Sequence, residues 1–505
     1  MTSFISSLSN AQIANLSTTT MATLKTTDIA ALTVAQIASL SGSQLSALTT
    51  TAESALSTTQ ITGFSSQAAP SLSMAMILAL ANTQVDAMSA TVLGSLTTTN
   101  VNALSTTELQ GLSAGQLGGF GTTQIAAMTT TTLGNLGSTL LARLNAAQAK
   151  ALTTTQLNTM ATTALTALNV SNLATSQVSG LTSTTLNALT TAQFAEFNSA
   201  QASVLSTSAL ASLASTNLRA LTKTAISGIA STSIGQLTTT TLGNFSTTQL
   251  GELTTLQVKG FTTSQLNAGT TTVVNALNAA SLSSTQIGGL TTTALNSFTT
   301  SQLAALTSAA VSALNAADVN GLTTANLQAL STTADNGLTT TTLSGLTTTA
   351  LGNFSTTELG HLSAAQAQSL TSTQLNTATT TVLNALNAAN LSTTQIGALS
   401  TTTLNALTTT QLGTLTSKQA AALTSAEINA LTSTNAHALT AAALSGVTTA
   451  ALAGLTTTAL GNLATTQLSA LTAAQVKGLT TVQLNTVSTT VLNALNAANL
   501  STTQI

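Results

Sequence analysis

Hydroxyl side chains crowd this sequence, but a serine or threonine becomes a nucleophile only beside a base and a group that orients that base. Two histidines could serve, His361 and His437, and neither has a cluster of acids near it in the chain. Both fall at solvent-type positions of the repeat described below, so neither a general base nor a metal ligand is expected there. Cysteine is absent, which excludes disulfides. The sequence also lacks the glycine–lysine phosphate loop and the glycine–aspartate nonapeptide of calcium-binding rolls. The expectation is a non-enzymatic protein with no catalytic residue, no metal and no cofactor.

Two carboxylates stand out by position. Glu53 and Asp335 occupy a place that is otherwise nearly always aliphatic in an eight-residue repeat. The repeat is clearest at Leu407–Leu431, LTTTQLGT-LTSKQAAA-LTSAEINA-L. Leucine holds position 1, a hydroxyl residue position 2, Gln or Glu position 5 and a second aliphatic position 6. A carboxylate at position 6 must be paired or neutralised if it is buried. One reading is a local register shift that turns the acid outward and Ala52 or Ala334 inward. The other is a bend or a contact point between molecules.

The element that positions all these residues is a short helix. Ser or Thr followed three residues later by Gln or Glu is a capping box, and the flanking aliphatics fall at the two positions of a hydrophobic staple. Positions 7 and 8 are mostly Ala, Gly or Asn, and Gly and Asn favour the left-handed conformation that ends helices. Charge placement agrees. Asp28, Glu108, Asp318, Glu358 and Glu427 sit at position 5, and Lys150, Arg219, Lys259 and Lys477 at position 7. Acid near the start and base near the end is the arrangement the helix dipole favours. Glu196 and Glu252, at position 8, run against the trend.

One continuous helix fails, because about 100° per residue makes the leucine stripe drift about 80° per octad. One continuous strand fails too, because positions 1 and 6 would point to opposite faces. The fold read from the sequence is therefore all-α: a solenoid or superhelix of short helices, one per octad. A β-solenoid with a turn in every octad is the alternative, since threonine suits strands. A lone octad buries too little to offset its chain entropy, so the leucines of stacked repeats must share one core.

The chain has 505 residues, 43% hydrophobic, 2% aromatic and 4% charged, with a formal net charge of −2. Such a balance offers no field for nucleic acid or an anionic membrane. The apolar stretch Met74–Leu80 is far too short to span a bilayer. The start, MTSFISSLSNAQ, has neither a basic region nor a continuous apolar run, so an export signal is expected elsewhere, for example C-terminal to this segment.

Residues 1–7 read as a cap or tail, and octads run from Leu8 to a closing pentad at 168–172. Thirteen octads and one pentad then form 109-residue blocks at 173–281, 282–390 and 391–499, with residues 500–505 opening another. The chain is expected to continue beyond Ile505, which falls inside an octad. The pentads Leu277–Ser281 and Leu386–Asn390, with Leu277, Asn278, Leu386 and Asn387 as their defining residues, are candidate bend or assembly positions. They either reset the phase of the coil or record a three-residue deletion copied with the block.

The L-[ST]-x-x-Q-[ILV]-x-A-L pattern resembles the octad-repeat regions of very large bacterial exoproteins of adhesin-like, haemagglutinin-like, haem-utilisation-like and surface-layer-like type. The resemblance covers residues 8–505 and implies a secreted or cell-surface structural protein; no haem-ligand motif accompanies either histidine. The expected function is self-assembly with copies of itself into an extracellular filament, sheath or surface layer. An adhesin stalk or glycan-binding module is the alternative, and a cytoplasmic scaffold of the same architecture is the alternative in location.

Overall fold

The computed structural model describes residues 3–505. Met1 and Thr2, part of the expected N-terminal cap, lie outside the described residues. From Ser3 onward the described chain is a succession of α-helices of four to six residues with interspersed single 3-10 turns, and it contains no strand. The β-solenoid is thereby set aside. The chain divides into two compact segments, the first reaching Gln257 and the second running Val258–Ile505.

The octad beginning at Leu407 shows why these residues fold this way. Thr408 is extended (φ −69°, ψ 155°) and caps a helix at Thr409–Gly413. Its hydroxyl accepts from the Gln411 amide at 3.2 Å, and Gln411 Oε1 accepts from the Thr408 amide at 3.0 Å. Leu407, Leu412 and Leu415 are all buried, so both anchors of this repeat and the first of the next face the core. The same layout carries Phe194 and Phe197, whose rings pack 5.2 Å apart within the first segment.

One local expectation needs correction. Helices do not end in the left-handed conformation: Gly137 (φ +72°) is the one residue with positive φ among those described. Instead the next leucine turns extended and its amide bonds three residues back, as Leu407 does to Leu404 at 3.3 Å. That leucine must begin the next repeat pointing inward, which leaves no residue free for a left-handed cap. Pro70 lies at the start of the 3-10 turn Ala69–Ser71, where no amide donor is required. The Met74–Ala79 repeat keeps ordinary packing, with Met76 and Ile77 buried and Met74 and Leu78 exposed.

Small residues set the spacing between coils. At Gly337 and Gly446, both at position 8 and 109 residues apart, an added Cβ would run into the carbonyls of Ser308 and Ser417. In each case the blocking residue belongs to the third repeat back, so these glycines allow two helices to touch by backbone.

Candidate functional site

The residue that ties the structure together is the position-5 glutamine. Gln60 caps its own helix through Oε1, which accepts from the Ser57 amide at 2.8 Å. Its Nε2 donates to the carbonyls of Ile29 and Leu32, each at 2.7 Å, 31 and 28 residues back. Those acceptors are position 6 of the fourth repeat back and position 1 of the third. A coil therefore holds between three and four repeats, and the 28-residue separation corresponds to three and a half octads. The sequence points only to the capping half of this role. The other half lies in a neighbouring coil and leaves no local signal.

A second tie runs from position 7. Asn405 Nδ2 donates to the Ala430 carbonyl at 2.6 Å and its Oδ1 accepts from the Thr432 amide at 3.1 Å. Thr432 caps a helix whose position 5 is Asn435, so no glutamine is present to satisfy that amide. The same complement joins Asn102 to Thr129, Asn296 to Thr323, Asn320 to Thr347 and Asn429 to Thr456. The helices capped by those threonines carry Thr132, Asn326, Ala350 and Ala459 at position 5. In these five repeats, which lack their own glutamine, an asparagine four repeats earlier supplies the missing acceptor.

The pentads are single 3-10 turns, Ala279–Ser281 and Ala388–Asn390 in the second segment. Leu277 and Leu386 are core residues, and Asn278 and Asn387 cap the turns by accepting from Ala280 and Ala389 at 3.2 and 3.1 Å. Gln411 reaches past the second pentad to Leu383 and Leu386 at 28 and 25 residues, three fewer than usual at each bond. The acceptors are still the fourth and third repeats back. A pentad thus holds the place of a whole octad, with three residues missing.

Glu53 and Asp335 do not turn outward. They are only 2% and 4% exposed, and Ala52 and Ala334 are buried beside them. Alanine at position 5 is small enough that neither residue has to leave the core. Glu53 Oε2 and both Asp335 carboxylate oxygens are buried without a hydrogen-bond partner. Burial pushes each carboxyl up to about 7, and for Asp335 the charge of Glu358 adds to the effect. Glu358 is a residue that the sequence reading assigned only to a cap. Its Oε2 accepts from the Ser355 amide at 2.5 Å, while Oε1 is buried with no partner. Glu53 belongs to the first segment and Asp335 to the second.

His361 ends the Glu358 helix, exposed, with Nδ1 2.7 Å from the Thr357 carbonyl. No group of three or more His, Asp or Glu side chains able to hold a metal ion occurs among the described residues. The string Gly111-Leu112-Ser113-Ala114-Gly115 has the spacing of a nucleophile elbow. Ser113 is instead a helix cap, its hydroxyl donating to Gln116 Oε1 at 2.8 Å, with no strand before it. It borders a groove of about 680 Å³ that also includes Gln110, Gly137 and Arg143. No carboxylate or imidazole lines that groove.

Residues 388–425 match the ALTTAQ repeat. The six-residue string occurs letter for letter at Ala188–Gln193, where Gln193 is position 5 and bonds the Leu165 and Leu168 carbonyls at 3.0 and 2.9 Å. At Ala188–Gln193 the letters of the ALTTAQ string thus include the leucine anchor, the hydroxyl cap and the stapling glutamine. No curated protein matches the chain. The chain is a repeat protein of solenoid type, and no helix among its described residues is long and apolar enough to cross a membrane.

Proposed function

We propose that the chain is a structural module that associates with copies of itself to build an extracellular filament, sheath or surface layer. The observation that carries this reading is the fit between block and coil. Thirteen octads and a pentad make fourteen repeats in 109 residues. If the 28-residue separation of Gln60 and Leu32, three and a half repeats, is taken as one coil, fourteen repeats make four coils, and equivalent side chains of successive blocks within the second segment return to the same face. Leu346–Asn353 and Leu455–Asn462, LTTTALGN in both, are one such pair within the second segment.

A face that recurs in this way offers many weak contacts at fixed spacing, and such contacts reinforce one another. Its Thr, Ser and Ala side chains carry almost no charge, so copies repel one another little. Light scattering across a concentration series, with electron microscopy of the concentrated protein, tests the proposal. Growth into fibres or sheets is expected. A strictly monomeric protein at high concentration, with neither, would end it, and binding to defined sugars on a glycan array without assembly would favour a stalk or binding module instead.

A further inference from the structure

We propose that the groove beside Arg143 is a binding site for carboxylate-bearing saccharides, opened by one repeat that lacks both of its polar fasteners. The repeat is Leu136–Arg143, LGSTLLAR. Glycine stands at position 2 in place of a hydroxyl residue, and leucine at position 5 in place of glutamine. The backbone responds locally. Leu136 is helical (φ −60°, ψ −24°) where Leu407 is extended (φ −64°, ψ 143°), and the helix Gly137–Leu141 has no side-chain cap. Gly137 takes the positive φ of +72° that this turn requires.

The missing glutamine leaves space as well as unmade bonds. Elsewhere the position-5 amide crosses to carbonyls 31 and 28 residues back, as Gln60 does. From position 140 those acceptors are Leu109 and Leu112, and Leu112 lines the groove. Gln110 also departs from the ordinary pattern. At the same position 7, Gln328 donates to the Asn353 carbonyl 25 residues on, at 3.0 Å. Gln110 makes no such bond to Asn135. Its amide stands beside Gly137, where an added Cβ would lie 3.6 Å from Nε2.

The result is a groove of about 680 Å³, within the usual size of small-ligand sites. Arg143 supplies its charge. The chain has two arginines. Arg219 commits its side chain to the Asn244 carbonyl at 3.0 Å, whereas Arg143 has no acid partner, and no carboxylate lines the groove to compete for it. A planar guanidinium is the side chain best matched to a carboxylate, which it holds by two parallel hydrogen bonds. Around it, the exposed hydroxyls of Ser138 and Thr139 and the Gln110 amide offer the donors and acceptors that sugar hydroxyls need.

Calorimetric titration of the full chain with trigalacturonate tests the site, with the methyl ester of the same sugar as the neutral probe. Saturable binding of the acid is expected, weakened about tenfold or more by esterification and by Arg143→Gln. The deciding variant is Gly137→Thr/Leu140→Gln, which writes the ordinary cap and stapling glutamine into the repeat. It keeps Arg143 and should melt no earlier than wild type. It should nevertheless lose binding, because the glutamine that reaches Leu112 fills the groove. No saturable binding by wild type, or equal affinity in Arg143→Gln, would overturn the proposal. So would undiminished binding by the double variant, the mark of a surface charge acting without a groove. Equal binding of acid and ester would overturn it as well, since the site would then read neutral sugars.

Discussion

Gln419 and Ala388 stand 31 residues apart, yet Nε2 of the glutamine donates to the carbonyl of the alanine at 2.9 Å. Gln201 and Val170 make the same bond in the first segment at 2.8 Å. Ala388 and Val170 are each the third residue of a pentad, and their carbonyls do what position 6 does in an octad. The ladder of side-chain bonds therefore counts repeats, not residues. This explains how a five-residue unit can interrupt an eight-residue period without breaking the stack.

Removing a stapling glutamine should cost more than removing an ordinary cap. Gln60→Leu leaves the Ser57 amide without its acceptor and the Ile29 and Leu32 carbonyls without their donor. Each buried group left unsatisfied costs about 1–3 kcal/mol. Hydrogen exchange should show the loss in residues 24–64 and little change elsewhere, since stability in stacked repeats is local.

The asparagine rule predicts a paired result. Asn405→Ala should destabilise the repeat at Leu431 by about 1 kcal/mol, a typical value for a lost cap. Adding Asn435→Gln should restore it, because the new glutamine can satisfy the Thr432 amide from within its own repeat. Asn384→Ala should be silent: the repeat four places on carries Gln411, which already accepts from Thr408. Denaturation midpoints of the four proteins, followed by exchange at residues 430–436, check each arm.

Glu53 gives a stability test in the first segment. Its carboxyl stays protonated in the fold up to about 7, against 4.5 when exposed. The native state thus binds more protons than the unfolded chain between these values, and its stability falls as pH rises through about 7. Glu53→Leu installs the usual position-6 residue and should raise stability at pH 8 by about 2 kcal/mol, the value of a buried leucine. The variant should also lose the pH dependence of exchange in residues 48–60. A variant less stable than wild type at pH 8 would mean that the carboxylate has a favourable role in the core.

Much of the fold was legible because its rules are local. Ser57 and Gln60, or Thr408 and Gln411, are three residues apart, and a capping box can be read at that range. Leu407 and Leu412 declare their burial by spacing alone. What stayed hidden lies one coil away: the amide of Gln60 meets Leu32, and no local pattern names a partner 28 residues back. The inward turn of Glu53 and Asp335 escaped for a different reason. Burial of an acid looked too costly to be accepted while a small alanine stood beside it, but position 6 is fixed by the leucines on either side. The pairing of Asn405 with a repeat that lacks glutamine was present in the sequence, as a correlation between position 7 and the position 5 four repeats later. It becomes meaningful only once the coil length is known.

The pentads allow slot and length to be separated. Replacing Leu386–Asn390 by a consensus octad adds three residues but keeps fourteen repeats in the block. Gln395, Gln411 and Gln419 should keep their present acceptor repeats, helical circular dichroism should be unchanged, and assembly should persist. Deleting all five residues also spares every octad, so helix content should again barely move. The block would then hold thirteen repeats, which do not complete four coils, and faces that coincided before the deletion would point in different directions after it. Assembly, followed by light scattering and electron microscopy, should fail for the deletion and survive the octad replacement. The reverse outcome, with assembly lost on lengthening and kept on deletion, would show that the five-residue length itself matters and that the count of repeats per block does not.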